Sequence, residues 1–208
     1  KRNYFRTRGF NIYPKRYFSS CHTSHSQGWN LNEQRLKMYK QFKNIITQKN
    51  LNTLWNEINN KRLPFYLTTW HGAPFVYHQI IKRPEVKKKG DPAWNTPYAS
   101  LFLDIFETFC RKAKIKKTQI YRAALNITFP TGPKKCAIHF DHDFPHRQLL
   151  IYLNDADPNS KTVILNDKKK IIKKIKPQKN TGVMFGPYPH YHILPKSLYR
   201  AVLVYTFK

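Results

Sequence analysis

No run of apolar residues in this 208-residue chain approaches the roughly 18 to 20 that a membrane-spanning helix requires. The best candidate, Ser100 to Cys110, is too short and carries Asp104 and Glu107. Cysteine is sparse: Cys21, Cys110 and Cys136 are odd in number and show no CxxC spacing, so neither a disulfide framework nor a cysteine zinc site is indicated, and a reducing compartment is the simpler reading. Acid is scarce too. Eleven Asp and Glu stand against 38 Lys and Arg, a formal net charge of +27. That exceeds what solubility requires and implies residence beside polyanions or acidic surfaces, with ribosomal RNA, anionic lipid headgroups and an acidic protein partner all fitting. No internal repeat and no recognisable RNA-reading motif is present, so RNA binding would be electrostatic and strongly salt-dependent.

What is there suffices for one real core: 40% of residues are hydrophobic and 15% aromatic. The sequence divides into a basic arm at 1–29, supporting helices and loops at 30–118, and a strand-rich part at 119–208. The first eighteen positions carry Lys1, Arg2, Arg6, Arg8, Lys15 and Arg16 with no acid, and Ser19 and Ser20 follow. This is the composition of a mitochondrial targeting peptide, and it places the expected residence in the matrix, including the matrix face of the inner membrane.

Apolar spacing predicts helices across 30–60, through Leu31, Met38, Phe42, Ile45 and Ile46, with a break around Gln48-Lys49-Asn50 before Leu51, Leu54, Trp55 and Ile58 resume. Pro97 suits a first helical turn, and Leu101, Phe102, Ile105, Phe106 and Phe109 form a broad apolar face ending at Arg111-Lys112-Ala113-Lys114. The segment Ile81 to Lys89 reads as an exposed connection. Beyond the helix ending at Lys114 the period falls to two or to short apolar runs: Gln119–Phe129, Cys136–Asp141, Gln148–Asn154, Thr162–Leu165, Ile171–Ile175, Thr181–Phe185 and Ala201–Phe207. Lys168 to Lys170 reads as a charged hairpin. The expectation is a mostly β fold, a double-sheet jelly-roll barrel preceded by N-terminal helices.

Within Ile138-His139-Phe140-Asp141, strand geometry aims an imidazole and a carboxylate at one point. A second histidine about fifty residues later would complete the two-histidine, one-carboxylate arrangement that holds Fe(II) with open positions. The cluster from His139 to His146, including His142, offers zinc the same donors. His71 and His78 read as loop or core residues.

In order, His139-Phe140-Asp141, Tyr152-Leu153-Asn154-Asp155, Gly182 through Phe185, a Tyr-His before Pro195, and Arg200 leading a terminal Val-Leu-Val-Tyr strand resemble the Fe(II)- and 2-oxoglutarate-dependent dioxygenases, most closely the prolyl 4-hydroxylase type. The resemblance covers about residues 119 to 208. It implies a jelly-roll core with Fe(II) held by His139, Asp141 and one histidine of His190-Tyr191-His192. His192 is favoured because it follows Tyr191 and precedes Ile193, Leu194 and Pro195; His190 is the alternative, with a slightly better distance to the basic residue. It further implies that Arg200 pairs with the distal carboxylate of 2-oxoglutarate and that Tyr152 supports that carboxylate. One departure stands out. Ten residues before the metal histidine the family often places a tyrosine, and this chain has Phe129.

Two functions follow as expectations. The first is an accessory subunit of a large mitochondrial assembly, either a respiratory complex such as complex I or the mitochondrial ribosome. The second is an active hydroxylase of a protein or small-molecule substrate.

Overall fold

Helices form where apolar residues recur every three to four positions without interruption, and strands where backbone donors find a neighbour. The computed structural model describes residues 39–69, 72–83, 93–116 and 118–208. The basic arm, Leu31, Met38, His71 and most of the 81–89 connection lie outside them. In chain order the elements are β1 (Lys40–Lys43), α1 (Gln48–Asn59), β2 (Tyr66–Thr68), β3 (Phe75–Ile81), α2 (Ala99–Ala113), β4 (Ile120–Thr128), β5 (Arg147–Tyr152), β6 (Thr162–Leu165), β7 (Ile171–Ile175), β8 (Thr181–Phe185), β9 (His190–His192) and β10 (Arg200–Phe207).

The helix expected through Phe42 and Ile46 is not formed. Lys40–Lys43 pairs antiparallel with β8 instead. The reason is a long-range contact: the Asn180 carboxamide grips both backbone groups of Ile46, accepting from its N–H and donating to its carbonyl, each at 2.8 Å. The Gln48-Lys49-Asn50 stretch, expected as a break, opens α1, because the Thr47 hydroxyl caps it by accepting from the Asn50 N–H at 3.2 Å. Helix α2 lies where its apolar face predicts, with Phe102, Ile105, Phe106 and Phe109 buried.

Seven strands form one antiparallel sheet in the order β1-β8-β5-β10-β4-β3-β2, and three form a second, β7-β6-β9. This is the jelly-roll arrangement expected. Strands β6, β7 and β8 fall where expected, and Lys169 sits with φ 58° in the turn between β6 and β7. Cys136–Asp141, in contrast, is no strand: it is a loop docked on β9 by the isolated His139–His190 bridge.

Period-two alternation divides the large sheet into two working faces. Leu149 and Ile151 of β5 and Ala201, Leu203, Tyr205 and Phe207 of β10 join the α2 phenylalanines in one cluster. Rings of Phe106 and Tyr205 lie 5.1 Å apart, and the buried Tyr205 hydroxyl donates to the Phe102 carbonyl at 2.7 Å. The opposite face carries Leu150, Tyr152, Val202 and Val204, which pack with Ile164, Ile175 and Phe185. Burying such side chains is worth roughly 1.5 to 3 kcal/mol each, so the helix face anchors the sheet while its other face is left to line a cavity.

Candidate metal centre

Alternation on β4 and β10 chooses what reaches the barrel interior. From β4 come Arg122, Asn126 and Thr128, and from β10 come Arg200, Val202 and Val204, with Thr162 of β6 and the three residues of β9 opposite. The cavity they line measures about 80 Å³, several times the 10–15 Å³ that one water requires.

The loop carrying His139 meets β9 through a reciprocal pair: the His139 N–H donates to the His190 carbonyl and the His190 N–H to the His139 carbonyl, both at 3.0 Å. Their rings lie 4.4 Å apart between centroids. Asp141 is brought to the same point, and one donor atom from each of His139, Asp141 and His190 lies within 4.8 Å of the others. His139 Nδ1 donates to the Ala137 carbonyl and His190 Nδ1 to the Tyr188 carbonyl, each at 3.0 Å. A carbonyl only accepts, so both rings carry the proton on Nδ1 and present the Nε2 lone pair, the state that a metal requires.

His192, favoured on sequence, is outside this trio. The antiparallel pairing that sets His190 opposite His139 carries His192 toward Cys136, whose N–H donates to the His192 carbonyl at 3.1 Å and whose Sγ lies 3.2 Å from His192 Nδ1. Both histidines line the cavity, since they are two apart on one strand. Nor do His142 and His146 converge with His139. His142 Nε2 meets the Thr206 hydroxyl at 2.7 Å and its ring stacks on Phe144, while His146 Nδ1 donates to the Phe144 carbonyl. His78 is a buried core residue between the Pro64 carbonyl and the Thr96 hydroxyl.

Asp141 is 5% exposed. Its Oδ1 accepts from Arg83 Nη2 and Arg122 Nη1, both at 3.1 Å, and its Oδ2 lies 4.0 Å from His190 Nε2. Burial alone would push this carboxyl up, but Arg122, the two histidines and Arg83 together hold it far below the usual carboxylate range. Burial, and then His190, push His139 down to about 4 against the pull of Asp141. Arg83 is itself pushed down to about 10, by burial and then by the Arg122 charge. The sequence reading missed both arginines. Arg122 left a signal, a cation in the otherwise apolar run Ile120–Leu125, whereas Arg83 left none.

At the far end of the cavity, Arg200 is 5% exposed. Its Nη2 donates to Thr162 Oγ1 at 2.8 Å, and the same oxygen accepts from the Tyr152 hydroxyl at 2.8 Å. The Tyr152 ring lies 5.3 Å from the guanidinium carbon. Tyr152 is fully buried and is not among the residues that line the cavity; its hydroxyl is linked to Arg200 through Thr162. Arg200 Nε is buried without a partner, and among the described residues no carboxylate pairs with this cation. A buried guanidinium with a donor to spare fits an anionic ligand. Phe129, at the position where the resemblance would place a tyrosine, is 42% exposed and outside the lining; Thr128, 2% exposed and opposite Arg200 in register, brings a hydroxyl to the cavity.

No protein-family model and no curated protein matches the chain. Solved structures do. A 2OG-Fe(II) oxygenase family oxidoreductase from Burkholderia pseudomallei is 15% identical with TM-score 0.66, over 86% of this chain and 88% of that one. A viral collagen prolyl hydroxylase from Paramecium bursaria Chlorella virus-1 is 16% identical with TM-score 0.53, over 90% and 96%. A prolyl-4-hydroxylase from Pseudomonas putida is 10% identical with TM-score 0.52, over 86% and 97%. The fold is therefore that of the 2OG-Fe(II) oxygenases. Within that class its form is prolyl 4-hydroxylase-like.

Proposed function

We propose that this chain is an Fe(II)- and 2-oxoglutarate-dependent hydroxylase. The observation that carries the reading is one cavity with two complementary ends: three donors, two of them imidazoles held in the ligating tautomer, and a buried guanidinium with no carboxylate partner among the described residues. His139, Asp141 and His190 would hold the metal, and Arg200 would bind the distal carboxylate of 2-oxoglutarate, with Thr162 and Tyr152 fixing its fork. Iron with 2-oxoglutarate and O2 supplies oxidation of a substrate C–H to C–OH, with succinate and CO2 as the other products. The chain's own residues set the geometry. Asp141 keeps Oδ1 on the arginines and Oδ2 toward the imidazoles, which suits one-oxygen ligation, and Leu150, Val202 and Val204 give the cavity an apolar wall.

The test is metal binding together with 2-oxoglutarate turnover. The unmutated chain should bind Fe(II) and release succinate, His190→Ala and Asp141→Ala should lose both, and His192→Ala should keep the metal. Loss of metal in His192→Ala with retention in His190→Ala would reverse the assignment.

A second reading is supported by the charge of +27 and by β7, an outer strand of the small sheet with Ile171 and Ile172 exposed beside Lys173 and Lys174. These suit a subunit packed in a large mitochondrial assembly, against acidic protein, anionic lipid or ribosomal RNA. Comigration with detergent-solubilised respiratory complexes, or loss from ribosomal particles on raising salt, distinguishes the hosts. Migration as a free monomer under both conditions excludes this reading.

A further inference from the structure

The inner face of β4 carries a second cationic group, distinct from Arg200. Thr128 stands opposite Arg200 in the β4–β10 register and Arg122 opposite Thr206, so the two positive poles lie six residues apart along the ladder, on the order of 20 Å of strand. They differ in depth. Arg200 is 5% exposed, whereas the side chains of Arg122 and Arg83 are 13% and 26% exposed. Arg200 therefore closes the cavity, and the paired arginines face its mouth beside Asp141.

One guanidinium would suffice to hold Asp141. Here two donate to the same oxygen, and the Arg122 charge disfavours that of Arg83. With neutral imidazoles, the cavity lining carries three guanidiniums against one carboxylate. A divalent metal and a 2-oxoglutarate dianion cancel each other, so loading the site leaves that excess of cations among the described lining residues unchanged. Asn126 adds an acceptor: its Oδ1 is buried without a partner on the same face of β4. A substrate bearing an anion, with an N–H or O–H nearby, would complement the two guanidiniums and the Asn126 acceptor.

We infer that Arg83 and Arg122 form a substrate-recognition site for an anionic group, a carboxylate or a phosphate, at the mouth of the cavity. The inference rests on the proposed Fe(II)/2-oxoglutarate reading for the identity of the other pole. Arg83 and Arg122 act as specificity-determining residues, and neutral isosteres of the substrate are discriminated against.

Calorimetric titration of acetate and of inorganic phosphate tests this, using the full chain saturated with Zn(II) and 2-oxoglutarate at constant ionic strength. One saturable site is expected. It should weaken roughly 10- to 100-fold in Arg122→Gln and in Arg83→Gln, as loss of a charged hydrogen bond implies. It should persist in Arg122→Lys and in the surface control Lys173→Gln. Tighter binding of phosphate or of acetate identifies the anion. Absence of a saturable site, or affinity unchanged in the glutamine variants, overturns the inference. So does weaker Zn(II) binding in those variants with anion affinity intact, which would leave the arginines as positioning residues for Asp141. If the unmutated chain binds neither Zn(II) nor 2-oxoglutarate, the cofactor reading fails, and the same titration on the metal-free chain still decides whether the arginines hold an anion.

Discussion

Replacing Arg200 by Met should separate stability from ligand binding, moving them in opposite directions. In the ligand-free chain the guanidinium is 5% exposed and is compensated by one hydrogen bond to Thr162 and the face of Tyr152, with no carboxylate. Burying an ion costs several kcal/mol after relaxation, which a charged hydrogen bond of about 1.5 to 3 kcal/mol and a cation–π contact of about 0.5 to 2 kcal/mol at most offset. Methionine has a similar reach and leaves no orphan, because Thr162 Oγ1 still accepts from Tyr152. Stability should therefore hold or rise by about 1 to 3 kcal/mol, a Tm increase of roughly 2 to 12 °C at this chain length. Binding of 2-oxoglutarate should collapse. A bidentate charge-assisted pair at about 1.5 to 3 kcal/mol per bond predicts roughly 10²- to 10⁴-fold weaker affinity. Thermal melts of wild type and Arg200→Met, with and without 2-oxoglutarate and Zn(II), read both quantities. A variant that melts well below wild type and still gains full stabilisation from 2-oxoglutarate would refute the reasoning, since Arg200 would then be a structural cation.

Asp141→Asn leaves Arg83 and Arg122 facing each other without their shared counter-charge. Urea unfolding should show a loss of about 2 to 3 kcal/mol, below the value for a fully buried pair because Arg83 is partly exposed, and adding Arg83→Gln should recover part of it. Gly182→Ala should cost about 1 to 3 kcal/mol by overpacking, because a Cβ there would lie 2.0 Å from Ile45 Cδ1; a neutral result would mean that Ile45 can move aside. Burial pushes both His139 and His142 down to about 4 from the ordinary 6.5. The unfolded chain then takes up protons that the native chain refuses between pH 6.5 and 4, so these groups reduce stability as pH falls through that window and add no further loss below it. Urea midpoints at pH 7.5, 5.5 and 4 should decline in that order, and constant midpoints would contradict the burial of both rings.

Much of the fold is legible in the residues alone because it rests on local periodicity. The spacing of Phe102, Ile105, Phe106 and Phe109 can serve only a helix packed on one side, and the runs at Thr162–Leu165, Ile171–Ile175 and Thr181–Phe185 can serve only strands between turns. His139 and Asp141 are two apart in the chain, so their convergence is likewise a local property. Lys40–Lys43 is not: its apolar spacing admits a helix, and only the unpaired edge of β8 and the clasp of Asn180 on Ile46 make it a strand. The choice between His190 and His192 also lies beyond the sequence. Both point to the same face of β9, and it is the pairing of His139 with His190 across two distant segments that selects one of them. Arg122 reaches Asp141 from β4 and Arg83 from the segment just after β3, 19 and 58 residues away. Periodicity carries the side to which each residue points, whereas which distant side chain meets it there is decided by strand register, and register exists only once the sheets have formed.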